Sequence, residues 1–346
     1  MFSRKNNFDI IRLLAATQVL VFHSLEHLNV KEYLPSFTNK LLQILRYFPG
    51  VPVFFSISGF LIFASFAGKP VSIRQYCKNR VLRIYPALWV ALIFTICLIL
   101  FTGGIRFDRS FLAWVFGQLS LFQFYNIQQF RDWGVGVPNG SLWTITIELQ
   151  FYFLVPFIFV AFKRFNKTVV AISLIILSIL CYILLKAFDN ESFVMKLGKV
   201  FILPYLFNFL FGVLIFIYWD NLKNIIENKA WLWMTIYLSY VCLFGIYLNY
   251  YNPDYWPANI FGMVGYALLT LVVFSCAFSA KSLTKIVLNG NDLSYGIYIY
   301  HMLWINFLVA IGYSGHIWSF FLAASLTVAS AFLSWKLIEK PALKLK

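Results

Sequence analysis

Charge is scarce in this chain. Only 12% of its 346 residues are Asp, Glu, Lys or Arg, while 61% are hydrophobic. A soluble domain needs about a quarter charged residues to cover its surface, so lipid must solvate most of this exterior. Acidic residues are the scarcer sign, 13 against 28 basic, which leaves a net charge of +15. The basic residues are scattered in short loops between apolar runs. That pattern argues against a nucleic-acid partner and fits the Lys and Arg excess of cytoplasmic loops. No stretch is polar enough for a second, soluble domain, so one membrane domain over 1–346 is expected. Internal repeats, heptad runs and low-complexity tracts are not evident, nor are the inverted repeats common in transporters. Cysteine is sparse as well. Cys77, Cys97, Cys181, Cys242 and Cys276 form no metal-type pair, which predicts free thiols without a disulfide framework.

Aromatic rings and long apolar runs are abundant. Phe, Tyr and Trp make up 20% of the chain, and the mean hydropathy is +0.77. A bilayer core of roughly 30 Å needs about 20 apolar residues per helix. Such runs lie near 8–28, 48–67, 85–103, 141–162, 168–187, 200–219, 231–250, 258–280, 295–312 and 317–338. The fold class is therefore all-α, a polytopic membrane protein of about ten transmembrane helices. The first run carries Asp9, Arg12 and His23, and reads as a retained helix rather than a cleaved signal peptide. A shorter run, 111–125, is followed by the helix-breaking segment Trp133 to Gly140. If 111–125 does not cross and the N-terminus is inside, eighteen of the 28 basic residues lie inside and nine outside. If it crossed, the later Lys clusters would face outward, against the bias. The expected topology has both termini cytoplasmic and 111–125 re-entrant or interfacial.

Ionisable residues inside a span are costly and each needs a reason. Asp9 and Arg12 are three apart on the first helix and can pair. His23 follows Arg12 by eleven residues, so both lie on one face, roughly 16 Å apart along the axis. Arg12 either snorkels to the inner headgroups or serves chemistry. His23 either makes an inter-helix hydrogen bond or acts as a base. With His27 and Glu26 it also suggests a metal site, but no other span supplies obvious ligands, so no metal is expected. Ser58 and Gly59 interrupt an aromatic run, where small residues let helices approach closely. Arg80 and Arg83 are three apart, either a phosphate clamp or a plain positive-inside anchor. Glu148 lies two turns into its span. It needs a partner from another helix or stays protonated, and the depth count makes His23 that candidate. His301 counts to the inner group of Asp9, Arg12, Arg80 and Arg83, or to a helix-stabilising hydrogen bond. Glu339 and Lys340 read as interfacial charges.

The order of these signals resembles the acyltransferase 3 family of membrane acyltransferases. The matching stretches are FDIIRLLAATQVLVFH from Phe8, FFSISGFLI from Phe54, KNRVLRIYPAL from Lys78, SLWTITIELQFYFLVP from Ser141, SYGIYIYHMLW from Ser294 and EKPA from Glu339. They span nearly the whole chain, and the Arg12–His23 spacing and the Arg80–Arg83 pair are the most specific parts. Phe8 and Leu13 depart from the family's usual leucine and glycine, at positions that carry no chemistry. Some members have an extra soluble domain, for which 346 residues leave no room.

The resemblance implies about ten spans and transfer of an acyl group, acetyl by inference from the family, from acyl-CoA to a hydroxyl of an extracytoplasmic glycan or other cell-surface acceptor. It implies a bacterial cytoplasmic membrane, with lipid as the remaining partner; no oligomeric state follows. On this reading His23, Glu148, Arg12 and Asp9 form the catalytic set. His23 is the general base, with a covalent acyl-histidine as a variant, and Glu148 orients it. Arg80 and Arg83 hold the donor's phosphates, with His301 and Ser58 also on the donor side, Ser58 as an oxyanion donor. Trp133 and Trp256 either stack on sugar rings or anchor at the interface. A polytopic glycan or lipid transporter, or a glycan polymerase, is the rival class. A transporter would not need a phosphate clamp, and a polymerase would tend to carry a larger outer loop.

Overall fold

The fold is taken from a computed structural model, which describes residues 6–68, 72–188, 192–253, 259–280 and 283–346. The described residues are all-helical, without strands. In chain order the helices are α1 (Phe8–His27), α2 (Ser36–Leu45), α3 (Gly50–Ala67), α4 (Ile73–Phe101), α5 (Arg109–Leu119), α6 (Trp143–Arg164), α7 (Lys167–Ala187) and α8 (Phe193–Gly198). They continue with α9 (Leu206–Ile217), α10 (Trp219–Ile226), α11 (Ala230–Tyr240), α12 (Ile260–Phe278), α13 (Leu283–Leu288), α14 (Ser294–Ala310), α15 (Ile317–Ser334) and α16 (Lys340–Leu343).

Among the described residues, eight helical stretches are long and apolar enough to cross a membrane, and α9 with α10, bent 96° apart, makes a ninth candidate. Helix α14 has 17 residues, about 26 Å at 1.5 Å per residue, and occupies the run expected at 295–312. Each of the ten expected apolar runs thus falls on a helix. The extra run behaves differently. Helix α5 has only 11 residues, about 16 Å, too short to cross by itself. Asp108 caps it, accepting from Phe111 N–H at 2.8 Å. The hydroxyl of Ser110 and that N–H hold the Asp108 carboxyl below its ordinary range.

The chain forms two compact units. One comprises Met1–Ala15, Gln43–Pro70 and Ile147–Gly290; the other comprises Ala16–Leu42, Val71–Thr146 and Asn291–Lys346. Helices α1 and α6 each contribute to both.

In the first unit α3 and α9 pack backbone to backbone. A Cβ on Gly59 would lie 2.0 Å from the Phe209 carbonyl oxygen, and one on Gly212 would lie 1.9 Å from that of Ser56. Without water to drive association, such close packing is what holds helices together in lipid. The approach stacks Phe209 between Phe55 and Phe151, at centroid distances of 4.5 and 4.1 Å. Phe8 fits an aromatic nest of Phe60, Phe274 and Phe278, at 5.6, 5.4 and 5.5 Å, so the ring at this position is accommodated. Asn7 ties the chain start to the end of α12, donating to Ser279 O at 2.6 Å and Ala280 O at 3.1 Å.

The second unit is built around α14, most of whose side chains are buried. Gly296 lets α15 approach, since a Cβ there would lie 2.8 Å from Ala331 Cα. The other side is covered by the segment after α5, clamped by Asn306. Its Oδ1 accepts from Val135 N–H at 2.8 Å, and its Nδ2 donates to Pro138 O at 3.2 Å. Asn139 Nδ2 adds a bond to Ile299 O at 2.8 Å. Trp133 is 6% exposed, and its indole N–H donates to Thr102 Oγ1 at 2.8 Å. That burial removes it as a stacking platform for a sugar. Trp256 lies outside the described residues. All five cysteines are free thiols.

Candidate active site

Two histidines meet inside the second unit. His23, in the last two turns of α1, lies against His301 at the middle of α14, with His23 Nδ1 and His301 Nε2 2.9 Å apart. His301 is fully buried, and its Nδ1 lies 3.2 Å from the carbonyl oxygen of Ile297, one turn back. His23 is half-buried, and its Nε2 makes no hydrogen bond among the described residues. The pair thus has a closed end at Ile297 and an open end at His23 Nε2. The depth count placed His301 with the inner arginines; the structure places it beside His23 instead. Position 301 is near the midpoint of a 17-residue helix, so its depth depends on how α14 is set against α1, which residue counting from a helix end does not capture.

Neighbouring groups fix this arrangement. The Tyr298 ring lies 5.9 Å from His301, and its hydroxyl bonds Thr144 Oγ1 at 2.6 Å. Leu25, Leu28, Met302 and Ile305 form a packed cluster beyond the pair, with Val135 against it. His27 lies 5.7 Å from His23, ring to ring. Glu26 is paired with Lys31. Among the described residues no three His, Cys, Asp or Glu side chains come together as a metal site.

The arginine pair sits on α4 in the same unit. Arg83 forms an ion pair with Asp292 at 2.5 Å. The other Asp292 oxygen accepts from the backbone and the hydroxyl of Ser294 at 3.2 and 2.5 Å. Arg83 therefore ties α4 to the start of the helix that carries His301, and is not a guanidinium held solely for a phosphate. Arg80 lies over the Tyr76 ring at 5.3 Å. Glu339 is 3% exposed and accepts from Ser334 Oγ at 3.0 Å. It is a buried group in a π-helical turn, Trp335–Glu339, rather than an interfacial charge.

The remaining expected residues belong to the first unit. Glu148 Oε1 accepts from Tyr152 OH at 2.6 Å and from Ser58 Oγ at 3.0 Å. Its Oε2 has no hydrogen-bond partner among the described residues. Two corrections follow. The group on His23 Nδ1 is His301, where Glu148 was expected. Ser58 has one hydroxyl hydrogen; committed to Glu148, it is not available to an oxyanion. Arg12 pairs with Asp9 at 3.8 Å, as the three-residue spacing predicts.

Tyr152, Asp292, Tyr298 and Asn306 escape a reading of the sequence. Tyr152 had a findable signal, since it follows Glu148 by one helical turn. So did Asn306, a polar side chain in an apolar run five residues after His301.

Comparison with known proteins bears on this geometry. Residues 5–338 match the sequence profile of the acyltransferase 3 family, described as an acyltransferase domain. Nodulation protein 10 of Rhizobium leguminosarum bv. viciae is 32% identical, over 99% of this chain and 94% of its own length. The O-acetyl transferase of Shigella phage Sf6 is 27% identical, over 97% of this chain and 96% of its own. The peptidoglycan O-acetyltransferase OatA of Listeria monocytogenes is 24% identical over 85% of this chain, which spans only 51% of that protein. No solved structure matches.

Proposed function

The chain belongs to the acyltransferase 3 family, and from that premise and the histidine geometry we propose that it moves an acyl group, acetyl, from acyl-CoA to a hydroxyl of a cell-envelope glycan. The family profile covers residues 5–338, which supports treating 1–346 as one acyltransferase domain. Relatives named as O-acetyltransferases support oxygen as the acceptor atom. The apolar helices and the loop charges support a bacterial cytoplasmic membrane with both termini inside.

The observation that carries the reading is the His23–His301 pair at 2.9 Å, with His23 Nε2 uncommitted. His23 is the general base. Its Nε2 takes the proton of the acceptor hydroxyl as that oxygen attacks the acyl carbon. The new C–O bond forms, the C–S bond of the thioester breaks, and the proton returns from Nε2 to the departing sulfur. Arg80 and Arg83, two guanidiniums three residues apart on α4, hold donor phosphates. Glu148, fixed in its own unit by Ser58 and Tyr152, keeps Oε2 for a polar group of a substrate. Arg12, pinned by Asp9, supplies positive charge near the helix start.

The test uses membranes containing this chain, acetyl-CoA labelled in the acetyl group, and the glycan fraction of the same cells. The reading predicts base-labile label on the glycan, dependent on the chain. Label that stays in acetyl-CoA while the glycan itself crosses the membrane would overturn it in favour of transport.

A further inference from the structure

We infer that His301 is the positioning residue for His23, setting the tautomer that leaves the His23 Nε2 lone pair facing the open end of the pair. This rests on the proposed role of His23 as base, and it concerns a proton location that can be measured separately from activity.

The chain of bonds has a fixed direction. The carbonyl oxygen of Ile297 can only accept, so the His301 nitrogen 3.2 Å from it, Nδ1, carries the hydrogen. A neutral His301 then has its lone pair on Nε2. That lone pair faces His23 Nδ1 at 2.9 Å, so His23 Nδ1 carries the hydrogen and His23 Nε2 carries a lone pair. Reversing the direction would set the Nδ1 lone pair of His301 against the lone pairs of Ile297 O. Making His301 an imidazolium would place a cation on a fully buried ring. No carboxylate bonds it among the described residues, and such a charge is costly. Ile297 and His301 lie one turn apart on α14, so the helix itself supplies the anchor of the relay.

The arrangement does two things for a base. It holds Nε2 as the acceptor nitrogen, although a free imidazole divides its hydrogen between both nitrogens. It also stabilises the imidazolium formed when His23 takes a proton, because His301 Nε2 keeps accepting from Nδ1–H. The acceptor hydroxyl approaches from the side opposite His301.

The experiment is nitrogen-15 NMR of the full chain in lipid nanodiscs with labelled histidine. The chain has four histidines, and the His23 signals are assigned by their loss in His23→Gln. The inference predicts that neutral wild-type His23 is protonated at Nδ1. In His301→Leu the hydrogen redistributes toward Nε2 and kcat falls about 100-fold, with the acyl-CoA KM changed by less than about threefold. His301→Gln can accept through its amide oxygen and retains the Nδ1–H form and most of kcat. Wild-type His23 protonated at Nε2 overturns the inference without any variant. So does a His301→Leu protein that keeps both tautomer and kcat. Full activity in His23→Gln sinks the proposed base instead, whatever tautomer is seen.

Discussion

The guanidinium of Arg83 and the carboxylate of Asp292 meet at 2.5 Å, with side chains only 21% and 12% exposed. The bond joins α4 to the residues leading into α14, Asp292 lying nine residues before His301. A residue placed by the sequence at a phosphate clamp is thus also a tie for the helix bearing half of the histidine pair.

That double duty separates the two arginines. Arg80→Ala is expected to raise the acyl-CoA KM about tenfold, since it removes a charge-assisted contact to the donor. Arg83→Ala should lower stability as well, by about 2 kcal/mol for a partly buried pair broken from one side. The swap Arg83→Asp with Asp292→Arg should recover stability but not donor affinity. Thermal unfolding in detergent and donor binding report the two effects. Equal behaviour of Arg80→Ala and Arg83→Ala in both assays would contradict the distinction.

A second prediction concerns Glu148. Tyr152 OH and Ser58 Oγ both donate to its Oε1. Tyr152→Phe and Ser58→Ala should each reduce kcat about three- to tenfold, matching the loss of one ordinary hydrogen bond. Glu148→Gln should cost more than either, because the amide nitrogen cannot accept. If Ser58→Ala reduced kcat more than Glu148→Gln, a direct oxyanion role for Ser58 would return.

A third prediction tests packing. Gly59→Val and Gly212→Val place carbon where backbone atoms already sit, 2.0 and 1.9 Å away. Each should separate α3 from α9 and destabilise the protein by about 3 kcal/mol or more. Gly103→Ala is the control for open space, because nothing lies within 4 Å of its Cβ, although its φ of +79° adds a smaller backbone strain. Melting of all three at one temperature would contradict the packing account.

A fourth prediction concerns topology. Cys77 is exposed and lies beside Arg80, so an impermeant thiol reagent should reach it from the cytoplasmic face only. A cysteine at exposed Gln128, in a chain lacking the native cysteines, should react from the opposite face. The reverse labelling would overturn the proposed orientation, with both termini cytoplasmic.

The spans and the polar residues are legible in the sequence, because a bilayer sets the run length and makes buried charge conspicuous. Asp9 with Arg12 is legible too, since one helix fixes a three-residue spacing. Partners from different helices are not. The depth count set Glu148 level with His23 and His301 with the inner arginines; that His301 is the partner on His23 Nδ1 depends on the rotation and height of α14, which no periodicity encodes. Trp133 reads either as a sugar platform or as an interfacial ring, yet it is buried with its N–H on Thr102, which removes the platform. Glu339 reads as a surface charge, yet a π-helical turn points it inward. Both errors arise where a loop or helix end folds back on the bundle, so that position along the chain misstates burial.

The most direct measurement is the rate of O-ester formation on the glycan by His23→Ala and wild type, at equal amounts of folded protein in native membranes. Removal of a general base predicts a loss of at least about 100-fold, with acyl-CoA binding retained. A rate near that of wild type would show that proton abstraction at position 23 is not part of the reaction.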